Sequence, residues 1–135
     1  GKRVLNIGVM GNFVQQLVEQ GIEVVGSDFD EDIVSAGPGS APAINNATMK
    51  HGRGTLDYIE DCDVVLSTGM VLATDTLDDI ARRVKECGKK LILFAATGCF
   101  FAREYCNTFG VDVVLSEPQP QYIFQGTTVI RTYRR

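Results

Sequence analysis

Five short apolar runs, each closing on small or polar residues, constrain the fold of this chain more than any other feature. They are Val4 to Met10, Glu23 to Phe29, Asp63 to Thr68, Leu91 to Ala96 and Val111 to Leu115. Runs of this length with continuous apolar stretches, rather than strict alternation with polar residues, describe strands buried on both faces. Segments of helical periodicity lie between them. Parallel strands cannot be joined by tight turns, so those segments read as crossover helices, of right-handed sense. The expected architecture is α/β: a Rossmann-like open sheet of about five parallel strands with helices on both faces.

The helical signals are uneven in strength. Leu77, Ile80, Ala81, Val84 and Cys87 form one apolar stripe, with Asp78 and Asp79 in the first turn and Arg82, Arg83 and Lys85 later. That order of charges suits the helix dipole, and Gly88 ends the pattern. Thr76 with Asp79 resembles a capping box, with Thr74 or Asp75 as competing caps. Phe13, Val14, Leu17 and Val18 share a face behind the first strand, with Asn12 as the expected N-cap and Gly21 past the end. A further helix is expected from Cys99 or Phe100 to Phe109, and a short one from Thr55 to Glu60. Residues Ala36 to Gly54 are rich in Gly, Pro, Ser and Asn and read as one long flexible loop. After Pro118 and Pro120, Tyr122 to Phe124 and Thr128 to Tyr133 read as a C-terminal antiparallel hairpin at one sheet edge.

A chain of 135 residues with a net charge of -4 is expected to be a single domain with no nucleic-acid surface, since phosphate backbones demand basic patches. No apolar run approaches the roughly 20 residues of a membrane span, and no signal-peptide pattern opens the chain. Cys62, Cys87, Cys99 and Cys106 have neither C-x-x-C nor zinc-type spacing, which fits reduced thiols in a cytoplasm.

Open α/β sheets bind ligands beyond the carboxyl ends of their strands, where the strand order reverses. The first and third expected strands flank that point, so the turn Gly8 to Asn12 and the segment Ser67 to Thr76 should converge. Gly8, Gly11 and Asn12 form a reduced glycine turn at a helix N-terminus, suited to an anion, although packing alone also calls for glycine there. Asp28 follows Gly8 by 20 residues at the end of the second strand, where a carboxylate can bond ribose hydroxyls. Together they point to an adenosine-type nucleotide, while Asp28 with Asp30 to Asp32 can equally be a solvated helix start. Thr68, Gly69, Thr74, Asp75 and Thr76 supply the far wall of the pocket, and Thr97 and Gly98 form the equivalent turn after the fourth strand. His51, the sole histidine, reads as a surface residue. No P-loop, G-x-S-x-G elbow or H-E-x-x-H motif occurs, so no catalytic residue is assigned.

The segment Asp63-Val64-Val65-Leu66-Ser67-Thr68-Gly69, followed by Thr76-Leu77, resembles the C-terminal Rossmann-like domain of the DUF364 family, which carries a heavy-metal chelation label. That family shows an apolar strand ending in Thr-Gly, then a helix opening on Asn-Gly-Thr-Leu. Here Thr74-Asp75 replaces Asn-Gly, and Ala96-Thr97-Gly98 stands where the family has a Gly-Pro-Ser-like turn. The resemblance runs from Val4 to Glu117, without the N-terminal enolase-like domain of longer members. It implies a pocket for a small molecule or metal at the switch point. The residues themselves offer no metal shell of recognisable spacing. The expectations are therefore a small-molecule-binding domain for an anionic or nucleotide-like ligand, a metal or metallo-ligand chelator, or a non-catalytic subunit that self-associates through the C-terminal hairpin.

Overall fold

In the computed structural model, which describes residues 1–36, 47–118 and 129–135, seven strands form one sheet. They are Arg3–Ile7 (β1), Glu23–Asp28 (β2), Ala47–His51 (β3), Val64–Thr68 (β4), Lys90–Ala95 (β5), Val113–Ser116 (β6) and Arg131–Arg134 (β7), in the order β3-β2-β1-β4-β5-β6-β7. β1 to β6 pair in parallel, and β7 runs antiparallel to β6 at the edge. The chain winds outward from β1 to β3, returns past its starting point, then winds outward the other way from β4. The reversal falls between β1 and β4, the pair identified from the sequence.

The helices are Gly11–Glu19 (α1), Glu31–Ala36 (α2), Thr55–Tyr58 (α3), Met70–Ala73 (α4), Leu77–Glu86 (α5) and Ala102–Asn107 (α6). Alternate strand residues divide the core. Leu5, Ile7, Val65, Leu91, Leu93, Ala95 and Val114 join one cluster with Ile59, Val71, Ile80, Val84, Tyr105 and Cys106. On the other face α1 packs on β2 with Val14 fully buried. Each such buried aliphatic side chain stabilises the fold by about 1.5–3 kcal/mol. Among the described residues no helix is long and apolar enough to cross a membrane.

Several expectations change. Residues 36–54 are not one loop: Ala47–His51 is a sixth parallel strand, and Gly52–Gly54 forms a 3-10 turn into α3. An edge strand need not be apolar on both faces, so Ala-Thr-Met-Lys-His gave no strand signal. Asn12 is not the N-cap of α1: Met10 holds that position, extended and without a side-chain cap. Thr76 caps α5 without a side-chain bond, so there is no capping box, and α4 intervenes before it. The antiparallel C-terminal strand is present as β7, whereas Tyr122 to Phe124 lies outside the described residues.

Candidate functional site

A cavity of about 240 Å³ opens at the carboxyl ends of β1 and β2, bounded by the β3–α3 turn, α4 and the start of α5. Ile7, Leu56, Val71 and Ile80 make it largely apolar. Ser27, Asp28, Thr55, Thr74 and Thr76 supply polar atoms, and Phe29, Arg53, Met70 and Asp79 are exposed side chains beside them. Of the sequence-predicted residues, Gly8, Asp28, Thr74 and Thr76 line it. Gly11, Asn12, Thr68, Gly69, Asp75, Thr97 and Gly98 do not.

The β1–α1 turn is held by its neighbours. Gly8 has φ +73°, and a Cβ there would clash with Thr68 Oγ1, so glycine is what lets the turn lie this close to Thr68 at the end of β4. The Gly8 N–H donates to the Ser27 carbonyl at 2.9 Å. Asp28 accepts the Val9 N–H on one oxygen at 2.9 Å and the Asp30 N–H on the other at 3.0 Å. Its carboxylate thus clips the first two strand-to-helix turns together, and each oxygen keeps a further lone pair. Asn6, fully buried, accepts the Met10 N–H at 3.2 Å and donates to the carbonyls of Leu66 and Gly8. Sequence reasoning missed Asn6, although an amide inside an apolar run was the available signal. Two amides of the turn, those of Gly11 and Asn12, have no acceptor among the described residues. They are the first two of α1, where the helix dipole favours negative charge.

The far wall is mostly structural. Thr68 is buried, its hydroxyl taking the Met70 N–H at 3.4 Å. Gly69 lies against the Thr97 carbonyl, 2.8 Å from where a Cβ would stand. Gly98 is left-handed, and its carbonyl accepts the Tyr105 hydroxyl at 3.0 Å. Burial raises that phenol above its usual range, more than the nearby Cys99 and Glu104 do. Thr74 donates to the Met70 carbonyl at 3.0 Å, so its 2.9 Å bond with Thr76 takes the Thr76 proton. Asp75 adopts φ 54° at the end of α4 and is exposed.

The β3–α3 side was missed because its strand was read as loop. His51 is the register partner of Asp28, so it stands at the same carboxyl edge, not on a remote loop. Its Nδ1 accepts the Arg53 N–H at 3.2 Å, and its ring meets Phe29 edge-on at 6.0 Å between centroids. Thr55 donates to the Gly52 carbonyl at 2.7 Å and therefore accepts from Ser27 at 2.6 Å. Among the described residues no three His, Cys, Asp or Glu side chains lie close enough to hold a metal. All four cysteines are free, and burial pushes the Cys62 and Cys106 thiols up.

This arrangement can be compared with known proteins. No protein-family model matches the sequence, and no curated protein sequence matches it. Solved structures do. A protein of unknown function from the DUF364 family of Pyrococcus horikoshii superposes with TM-score 0.69 at 16% identity, over 99% of this chain and 55% of that one. The C-terminal domain of the coenzyme A biosynthesis bifunctional protein CoaBC gives 0.64 at 16% identity, over 99% and 83%. A short-chain dehydrogenase/reductase from Veillonella parvula, in complex with NADP, gives 0.53 at 16% identity, over 75% and 50%. The fold is Rossmann-like. It is the fold implied by the DUF364 resemblance, and the chain spans about half the length of the DUF364 structure it matches.

Proposed function

We propose that this domain binds an adenosine-type nucleotide across the carboxyl edge of β1 and β2. The base occupies the apolar cavity beside Phe29 and Met70, the ribose lies near Asp28, and the 5′-phosphate meets the first turn of α1. The observation that carries this reading is the pair of unengaged amides of Gly11 and Asn12, beside a turn whose other amides are already bonded. A phosphate there receives two oriented N–H donors and the positive end of a nine-residue helix. The cavity supplies what the amides lack, an apolar slot of a size that suits a nucleoside. The short-chain dehydrogenase that shares the fold is in complex with NADP, which supports a nucleotide as the kind of ligand.

Gly11→Pro tests the reading with little structural cost. The first helical position tolerates proline, and Met10 is already extended, with φ -108° and ψ 96°, close to the region a residue before proline favours. The substitution removes one amide hydrogen. Titration calorimetry with adenosine 5′-monophosphate should show binding to the wild-type chain, weakened about tenfold in the variant, the equivalent of one charge-assisted hydrogen bond. A folded wild-type sample that binds no adenosine nucleotide refutes the proposal.

A further inference from the structure

Resting on the nucleotide reading, we infer that the site selects a nucleotide carrying a second phosphate on its ribose, and that Arg53 is the residue that reads it. The carboxylates lining the cavity are already engaged. Asp28 holds two backbone amides, and Asp79 is paired with Arg82 at 2.8 Å. Arg53 lines the same cavity and forms no ion pair among the described residues. In a chain with an excess of acidic residues, it is a cation left uncommitted at the pocket.

Its backbone is also fixed. The Arg53 N–H bonds His51, Gly52 lies under the Phe29 ring, and Thr55 bonds back to the Gly52 carbonyl. The lateral order along the sheet edge is then Arg53 after β3, Asp28 at the end of β2, and the α1 amides after β1. Neighbouring strands lie about 4.8 Å apart, so β3 and β1, the strands that lead into the two anion-seeking groups, flank β2 and Asp28 with roughly 10 Å between them. A ribose beside Asp28, with one phosphate at its 5′ carbon and another at its 2′ or 3′ carbon, presents an anion to each side. A guanidinium is charged at every accessible pH and grips a phosphate through two parallel N–H bonds.

The test compares adenosine 5′-monophosphate with the 2′,5′- and 3′,5′-bisphosphates by calorimetry at one ionic strength. The wild-type chain should bind one of the bisphosphates about tenfold more tightly, and which one identifies the ribose carbon. Arg53→Gln should abolish that preference, weakening the bisphosphate about tenfold more than the monophosphate, and Arg53→Lys should restore part of it. Arg53 is exposed, so both variants should melt with the wild type. Equal affinities in the wild type, or a preference that survives Arg53→Gln, overturn this inference and leave the nucleotide site standing. Absence of binding by all three nucleotides overturns both.

Discussion

Replacing Asp75 with glycine should make this protein more stable. Asp75 is the non-glycine residue of positive φ among the described residues, at 54°. It ends α4 in a Schellman arrangement: the Thr76 N–H reaches the Val71 carbonyl at 2.9 Å and the Asp75 N–H the Leu72 carbonyl at 3.4 Å. The residue at that position must be left-handed, which glycine does freely. A side chain with a Cβ is penalised there by about 1–2 kcal/mol, the lower end applying to Asp. Glycine recovers this but brings about 0.4–1 kcal/mol of extra freedom in the unfolded chain. The net gain is at most about 0.6 kcal/mol. At about 2.1 cal/mol/K per residue, a chain of 135 residues unfolds with an entropy of about 0.28 kcal/mol/K. The expected rise in Tm is therefore up to about 2 °C, measurable by calorimetry or circular dichroism. Asp75→Ala is the control, since it removes the carboxylate but keeps the Cβ, and it should not gain stability. An Asp75→Gly variant that melts at or below the wild-type temperature refutes the reasoning. The position adjoins Thr74 and Thr76 at the cavity, and strain is often retained at such places for function. Nucleotide titration of the same two variants asks whether the carboxylate is what retains it.

Two further outcomes follow from packing and charge. Gly69→Ala should destabilise the chain by about 1–3 kcal/mol in urea unfolding, because its Cβ would stand 2.8 Å from the backbone oxygen of Thr97 and no side chain can swing away; a change below about 0.5 kcal/mol refutes that packing. Burial pushes the Asp112 carboxyl up, but the Leu91 N–H, the Lys90 ammonium and the Arg135 guanidinium together hold it below its usual range. A carboxyl depressed in the folded state contributes stability that is complete above its unfolded value of about 3.9 and is lost as pH falls through the folded value. Acid unfolding of Asp112→Asn should therefore be less steep below about pH 4 than that of the wild type, and identical profiles refute the linkage.

The legible parts of the fold were those where burial shapes composition. Val64 to Leu66 and Leu91 to Phe94 lie in the middle of the sheet, so their residues had to be apolar, and the runs could be read directly. The α5 stripe was legible for the same reason, since Leu77, Ile80 and Val84 all enter the core. The β3 strand was not, because an edge strand is shaped by one neighbour and by solvent. The same gap hid His51, Arg53 and Thr55, one side of the cavity. Caps failed in a related way. Asn12 and Thr76 are residues that can cap, yet Asn12 lies inside α1 behind Met10, and the Thr76 hydroxyl is engaged by Thr74 instead of by α5. Local chemistry shows which bonds a residue can make, and packing selects among them.

Gly8 and Asp28 show where that division falls. Alternating apolar runs and helical stripes were enough to establish an open parallel sheet and the strands between which its order reverses, because periodicity reflects which faces must leave water. They could not say that Thr68 would press against Gly8, or that Asp28 would spend both oxygens on the Val9 and Asp30 amides. Those contacts join residues 60 and 19 positions apart for the first two pairs, and distance along the chain leaves no local trace of them. Which donors remain for a ligand is what is left over once every such contact has formed. It is a property of the assembled edge, and here it leaves the Gly11 and Asn12 amides and Arg53.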